Sequence, residues 1–338
     1  MVSVVQRIRT LDAHAEGEPL RVIVEGWPEP EGDTILAKRA YARRHQDALR
    51  RALMLEPRGH ADMYGALPTR PVTPDGDLGV LFLHNEGFST MCGHGIIGLT
   101  KVALDRGLVP DAANRTRLRY DTPAGRVDAW AERGEDGRVR SVTLRNVPSF
   151  VASRGGQVEV EGLSPVTYDL AYGGAFYAYV DAEPLGLSLV PESASELVRA
   201  GRAIKRAVMA VETPHHPDGD PDLGFLYGVI FCGPAAEPTN HSRHVCVFAE
   251  GEVDRSPTGT GVSARAALLH ASGELATDEW ITIESILGSS FDVKVGEETR
   301  VGSGAAVVPW VRGTAHLTGE HTFLLDPDDP FAHGFFLR

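Results

Sequence analysis

Short runs of apolar residues, some continuous and some alternating with polar ones, recur at 20–25, 80–84, 126–130, 139–144, 175–181, 228–232, 245–249 and 307–311. Each such run predicts a β-strand. Helical spacing of apolar positions appears at 35–55 and 192–210, and again in two segments that follow glycine-rich turns at 92–98 and 258–264. In each half of the chain a series of strands precedes the glycine-rich turn and its helix. That order predicts two related α+β lobes facing each other rather than one alternating βαβ sheet. The first lobe is expected over 1–146 and 312–338, the second over 147–311.

The two glycine-rich turns are copies of one device. Aligned without a gap, Cys92-Gly93-His94-Gly95 falls on Thr258-Gly259-Thr260-Gly261, and the register continues through Ile96/Val262 and Ala103/Leu269 to Gly107/Gly273, each pair 166 positions apart. Each copy reads as a small-residue turn opening an amphipathic helix that a glycine closes. Cys92 and Thr258 then sit at helix N-termini, where free N–H groups and the macrodipole favour an anion. A cysteine in that setting is expected to have a lowered pKa and thiolate character. A threonine can cap the helix and donate a hydrogen bond, but it is no base near neutral pH. Two matched helix starts with a single thiol predict a two-sided active site that has kept one base.

The 338 residues and 42% hydrophobic content suffice for two full cores. A formal charge of −13 argues against a nucleic-acid partner. No run reaches transmembrane length and the N-terminal segment lacks the apolar core of a signal peptide, so a cytoplasmic protein with no membrane partner is expected. Cys92, Cys232 and Cys246 form neither a disulfide framework nor a CxxC metal pattern, which fits a reducing compartment. Cys232 and Cys246 lie within apolar runs and read as structural. Gly93-x-Gly95-x-x-Gly98 matches a dinucleotide fingerprint, but polar residues at 85–90 separate it from the preceding strand, and no nicotinamide site is assigned. The segment His215-His216-Pro217-Asp218-Gly219-Asp220 holds metal-ligand residue types without ordered spacing, and reads as a solvated loop.

Together these segments resemble the proline racemase family. The matching residues are Met91-Cys92-Gly93-His94-Gly95 and Asp254-Arg255-Ser256-Pro257-Thr258-Gly259-Thr260-Gly261. His14-Ala15-Glu16-Gly17-Glu18-Pro19 resembles the family's HTGGEP element with departures at Ala15 and Glu16, and Tyr172-Gly173-Gly174-Ala175-Phe176 resembles its YGGNF segment. The resemblance implies a diaminopimelate-epimerase-like fold of two pseudo-symmetric lobes, with the active site in the cleft between them, and a homodimer. It implies that no metal, pyridoxal or other cofactor is needed. Racemases and hydroxyproline epimerases of this family carry cysteine at both helix starts. The Cys92/Thr258 pair instead looks like the branch that dehydrates trans-3-hydroxy-L-proline. By this resemblance Cys92 accepts the Cα proton and Thr258 faces it across the substrate. The backbone amides of Gly93, His94, Gly259 and Thr260 hold the carboxylate, and Asp254 with His94 contacts the ring nitrogen. The alternatives are a proline or 4-hydroxyproline isomerase and a non-catalytic amino-acid-binding relative.

Overall fold

Packing in the computed structural model, which describes residues 5–218 and 220–337, divides the chain into two units. Among the described residues the first comprises 5–91, 95–142 and 314–337; the second comprises 92–94 and 143–313. The boundaries thus fall at 142/143 and 313/314 rather than 146/147 and 311/312. Cys92, Gly93 and His94 pack with the second unit, not with the first as expected.

In the first unit, Gln6–Ala15 runs antiparallel to Ala315–Leu325 on one side and Glu18–Glu25 on the other. The order then continues through Tyr64–Thr69 (parallel), Leu78–His84 (antiparallel), Arg117–Thr122 (parallel) and Gly125–Arg133 (antiparallel). Helices α1 (Ile35–His45) and α2 (Asp47–Met54) fill the crossover between Glu18–Glu25 and Tyr64–Thr69. Their apolar positions Ile35, Ala42, Leu53 and Met54 join Ile8, Ile23, Leu81 and Phe88 in one core. The apolar spacing predicts one helix over 35–55, yet Gln46 breaks it at φ −126°. The Gln46 side chain is held by Trp27 Nε1 and Pro28 O, and these bonds outweigh its helix propensity.

The second unit repeats the same succession of pairings. Phe150–Val158, Val166–Tyr172 and Phe176–Asp181 are antiparallel neighbours. Leu226–Gly233 then pairs parallel, Ser242–Phe248 antiparallel, Ile281–Glu284 parallel and Ser290–Val301 antiparallel, with Gly304–Gly313 beyond it. Between Phe176–Asp181 and Leu226–Gly233 the long crossover is α4 (Ala194–Val211), as α1 and α2 are in the first unit; α3 (Gly93–Asp105) and α5 (Gly259–Ala271) likewise occupy matching places in the strand order. The α+β duplication expected from the pattern is therefore present in strand order, direction and helix placement. Among the described residues no helix is long and apolar enough to cross a membrane.

Helices α3 and α5 are each 13 residues long and begin at the glycine after Cys92 and after Thr258. Closing glycines Gly107 (φ +72°) and Gly273 (φ +79°) take the left-handed conformation that ends a helix without Cβ strain. Neither helix is amphipathic in place. Ile96, Ile97, Leu99 and Val102 of α3, and Val262, Ala264 and Ala266 of α5, have no exposure. The few polar groups on α3 are paired: Thr100 with the Tyr120 hydroxyl at 2.9 Å, and Lys101 with Asp105 and Val139 O. A helix buried nearly all round belongs at the centre of a core.

Candidate active site

The approach to Cys92 is polar but not a solvated loop. The Asn85 side chain accepts from Asp62 N and donates to Met54 O and His60 O. Arg50 donates to His84 O and Asn85 O, and Arg39 donates twice to Phe88 O. Ser89 bonds the Tyr64 hydroxyl, and Thr90 O accepts from Ala124 N. A buried segment whose carbonyls are held by two arginines has little freedom, so the chain enters α3 in a fixed orientation.

Cys92 itself is buried, and its Sγ lies 3.2 Å from His94 Nδ1. His94 is 3% exposed, and that burial holds its pKa down to about 4 against the opposing pull of nearby Asp254. The imidazole beside the sulfur is therefore neutral at neutral pH and serves as a hydrogen-bonding partner rather than a counter-ion. Asp254, also buried, accepts from Ser256 N at 2.8 Å through Oδ1, and Ser256 Oγ accepts from Thr258 N at 3.1 Å. This Asx turn followed by a serine acceptor delivers the chain to α5.

Thr258 does not cap α5 with its side chain as the sequence suggested. It adopts φ +68°, ψ +97°, and its hydroxyl makes no capping bond. A positive φ in a β-branched residue is costly and is retained where surrounding contacts dictate it. The Thr258 Oγ1 is buried with no hydrogen-bond partner among the described residues. Its carbonyl still accepts the first helical bond, from Val262 N at 2.8 Å. An unsatisfied buried hydroxyl beside the free N–H groups of a helix start is a donor awaiting an acceptor.

The two helix starts meet at their glycines. A Cβ on Gly93 would come within 2.6 Å of Gly259 Cα, and one on Gly259 within 2.6 Å of Gly93 Cα. That approach explains why residues 92–94 pack with the second unit. The structure thus brings together Cys92, Gly93, His94, Asp254, Thr258, Gly259 and Thr260, all seven site residues expected from sequence. It adds residues that were missed. Tyr177 OH bonds Thr260 Oγ1 at 2.7 Å, and Tyr179 OH donates to Gly261 O at 2.6 Å. Ser263 Oγ donates to Gly259 O at 2.8 Å. Two tyrosines two apart on the strand Phe176–Asp181 face one way, and their spacing was the available signal.

Two further expectations are resolved away from the site. Cys232 and Cys246 are buried in strands, and burial pushes the Cys232 thiol up to about 12, so it is inert. The loop 215–220, apart from Gly219, which lies outside the described residues, is not simply solvated. The His216 ring packs edge-on against Tyr172 at 4.8 Å and Phe150 at 5.6 Å, because its ring is better buried among aromatics than left in water.

A duplicated α+β architecture with two glycine-led central helices meeting at their starts defines the class, that of diaminopimelate-epimerase-like folds. The chain belongs to the proline racemase family, whose model matches residues 10–336. It is 48% identical to trans-3-hydroxy-L-proline dehydratase of Colwellia psychrerythraea, over 98% of this chain and 93% of the relative. It is 43% identical to 3-hydroxyproline 2-epimerase of Burkholderia multivorans, covering 98% of each. Its structure is similar to the crystal structure of a hydroxyproline epimerase from Agrobacterium vitis with bound trans-4-hydroxy-L-proline: TM-score 0.92, 34% identity, 98% of this chain and 95% of that one.

Proposed function

We propose that this protein dehydrates trans-3-hydroxy-L-proline without a cofactor, with Cys92 as the base. One observation carries the reading: an otherwise duplicated helix start has a thiol in one copy, and in the other a threonine whose buried hydroxyl has no partner. Inversion at Cα needs an acid and a base on opposite faces. Dehydration does not. In trans-3-hydroxy-L-proline the carboxylate and hydroxyl lie on opposite ring faces, so the Cα hydrogen and the hydroxyl share a face.

The Cys92 thiolate takes the Cα proton, the electron pair forms the Cα–C3 double bond, and the C3–O bond breaks. The departing hydroxide takes that proton from the Cys92 thiol, directly or through a water, and leaves as water, which returns Cys92 to the thiolate. The first product is the enamine Δ2-pyrroline-2-carboxylate, which tautomerises to Δ1-pyrroline-2-carboxylate. With its Nδ1 protonated, His94 donates to the sulfur and stabilises the thiolate. The amides of Gly93, His94, Gly259 and Thr260 hold the substrate carboxylate and stabilise charge that moves onto it as Cα loses its proton. Asp254 pairs with the ring ammonium, and Thr258 donates its hydroxyl from the opposite side.

A second reading, 2-epimerisation of 3-hydroxyproline, is favoured by the Burkholderia relative. One experiment separates them. The purified protein is incubated with trans-3-hydroxy-L-proline, cis-3-hydroxy-L-proline, trans-4-hydroxy-L-proline and L-proline in deuterium oxide, and pyrroline-2-carboxylate and inverted substrate are measured separately. Dehydration of the trans-3 isomer alone, abolished in Cys92→Ser with ligand binding retained, is the expected result. Inverted 3-hydroxyproline without pyrroline favours the epimerase. Equal dehydration of the cis and trans isomers rules out the same-face step, and near-normal turnover by Cys92→Ser removes Cys92 from the base role.

A further inference from the structure

Helix α5 carries a second polar feature beyond its first turn. Arg265 stands six residues after Gly259, about 9 Å further along the axis. With Tyr168, Asp169, Tyr179, Asp181 and Pro184 it lines a separate pocket of about 260 Å³. The Arg265 Nε is buried without a hydrogen-bond partner among the described residues, and no carboxylate there is close enough to form an ion pair with it. His244, which feels the charge of Arg265, is 1% exposed, and its Nδ1 also lacks a partner. A guanidinium nitrogen buried without an acceptor is costly, and an anionic group reaching it from the pocket would offset that cost.

The other charges in the lining narrow the class of ligand. Two carboxylates share the lining with Arg265: Asp169, which accepts one bond from Gly155 N at 2.9 Å, and the exposed Asp181. A simple anion drawn to Arg265 meets both carboxylates. A cation drawn to the carboxylates meets the guanidinium. A small zwitterion satisfies both ends at once, and Pro184 with the two tyrosine rings offers an apolar wall for a short side chain. We propose that this pocket binds a small α-amino acid, its carboxylate on Arg265 and its ammonium on Asp169 and Asp181. It is a second amino-acid site, separate from the one at residues 92–94 and 254–260. Tyr179 belongs to its wall and donates to Gly261 O, so the pocket is joined to the first turn of α5.

L-alanine is the probe, with propionate and ethylamine as analogues that each lack one charge. Calorimetric titration and thermal unfolding are run on the wild type, Arg265→Gln, Asp181→Asn and Asp254→Asn. L-alanine is expected to bind and raise the Tm of the wild type while neither analogue does. Asp254→Asn, which alters only the first site, should keep that response. Arg265→Gln should weaken alanine binding at least about ten-fold while hydroxyproline turnover stays within about two-fold of wild type. Asp181 is exposed, so Asp181→Asn tests the ammonium end even if the arginine variant is unstable, and it too should weaken binding. Propionate binding as tightly as alanine makes this a simple anion site and overturns the proposal. So does undiminished alanine binding by both Arg265→Gln and Asp181→Asn, or a response lost in Asp254→Asn but kept in Arg265→Gln.

Discussion

Gly93 and Gly259 touch through their backbones, so that a Cβ on either would lie only 2.6 Å from the other's Cα. They are equivalent positions of the 166-residue repeat, so the contact joins the first residues of the two central helices. The starts of both helices converge there, with Cys92 immediately before one glycine and Thr258 immediately before the other. Only glycine permits this approach, because the obstructing atoms are backbone and cannot rotate aside.

Gly93→Ala and Gly259→Ala should therefore each cost about 1–3 kcal/mol of stability by overpacking. By forcing the helix starts apart they should also lower kcat/KM by about a hundred-fold or more. Gly87→Ala, with nothing within 4 Å of the added Cβ, is the control and should be close to neutral. Denaturant unfolding and steady-state kinetics on the three variants check this. Wild-type behaviour in either of the first two would mean the helix starts have room to spare.

Burial of neutral His94 gives a pH signature. Its folded-state pKa of about 4 lies below the ordinary 6.5, so the unfolded chain binds more protons between those values. The stability is complete above pH 6.5 and is lost progressively as pH falls toward 4. Relative to His94→Gln, which has no proton to gain, the wild type should lose roughly 3 kcal/mol between pH 7 and pH 4. Urea unfolding of both proteins at the two pH values measures it. A difference that stays constant would show that the ring is not held neutral.

Much of this was legible in the chain because a duplication writes its own register. Thr258 aligned with Cys92 placed both helix starts to the residue, and the closing glycines Gly107 and Gly273 followed from the same alignment. What a linear pattern could not carry is the set of long-range bonds. Nothing near Gln46 announces that Trp27 and Pro28 will draw it out of the helix. Nor does the sequence announce the positive φ of Thr258, whose N–H bonds Ser256 Oγ, so that the residue read only as an ordinary cap. The Tyr177 and Tyr179 hydroxyls are about 80 residues from the turn they hold, and their alternation marked a face without naming its partner.

Asp254→Asn separates binding from chemistry. The amide oxygen can still accept from Ser256 N, so the turn and the overall stability should survive. The charge opposite the substrate ammonium is lost, which should weaken binding of trans-3-hydroxy-L-proline by roughly 2–5 kcal/mol. Calorimetry in a Cys92→Ser background, where no turnover intervenes, gives the dissociation constant directly. An unchanged value would move the ammonium partner elsewhere.

The asymmetry between the helix starts can be tested by removing it. Thr258→Cys restores a second thiol before Gly259, where free N–H groups and the α5 macrodipole favour its ionisation. The change is mild for the fold, since cysteine is not β-branched and bears the positive φ at no greater cost than threonine. With thiols at both starts, the variant has an acid and a base for opposite faces of Cα. It should exchange the Cα proton of L-proline or 4-hydroxyproline with solvent and return the inverted isomer, while dehydration by Cys92 persists. Proton NMR in deuterium oxide with chiral chromatography compares variant and wild type. A folded variant that binds these prolines yet yields no inverted product would show that the second thiol alone does not make an epimerase. Placement of the ring by Asp254 and the α5 amides would then have diverged along with residue 258.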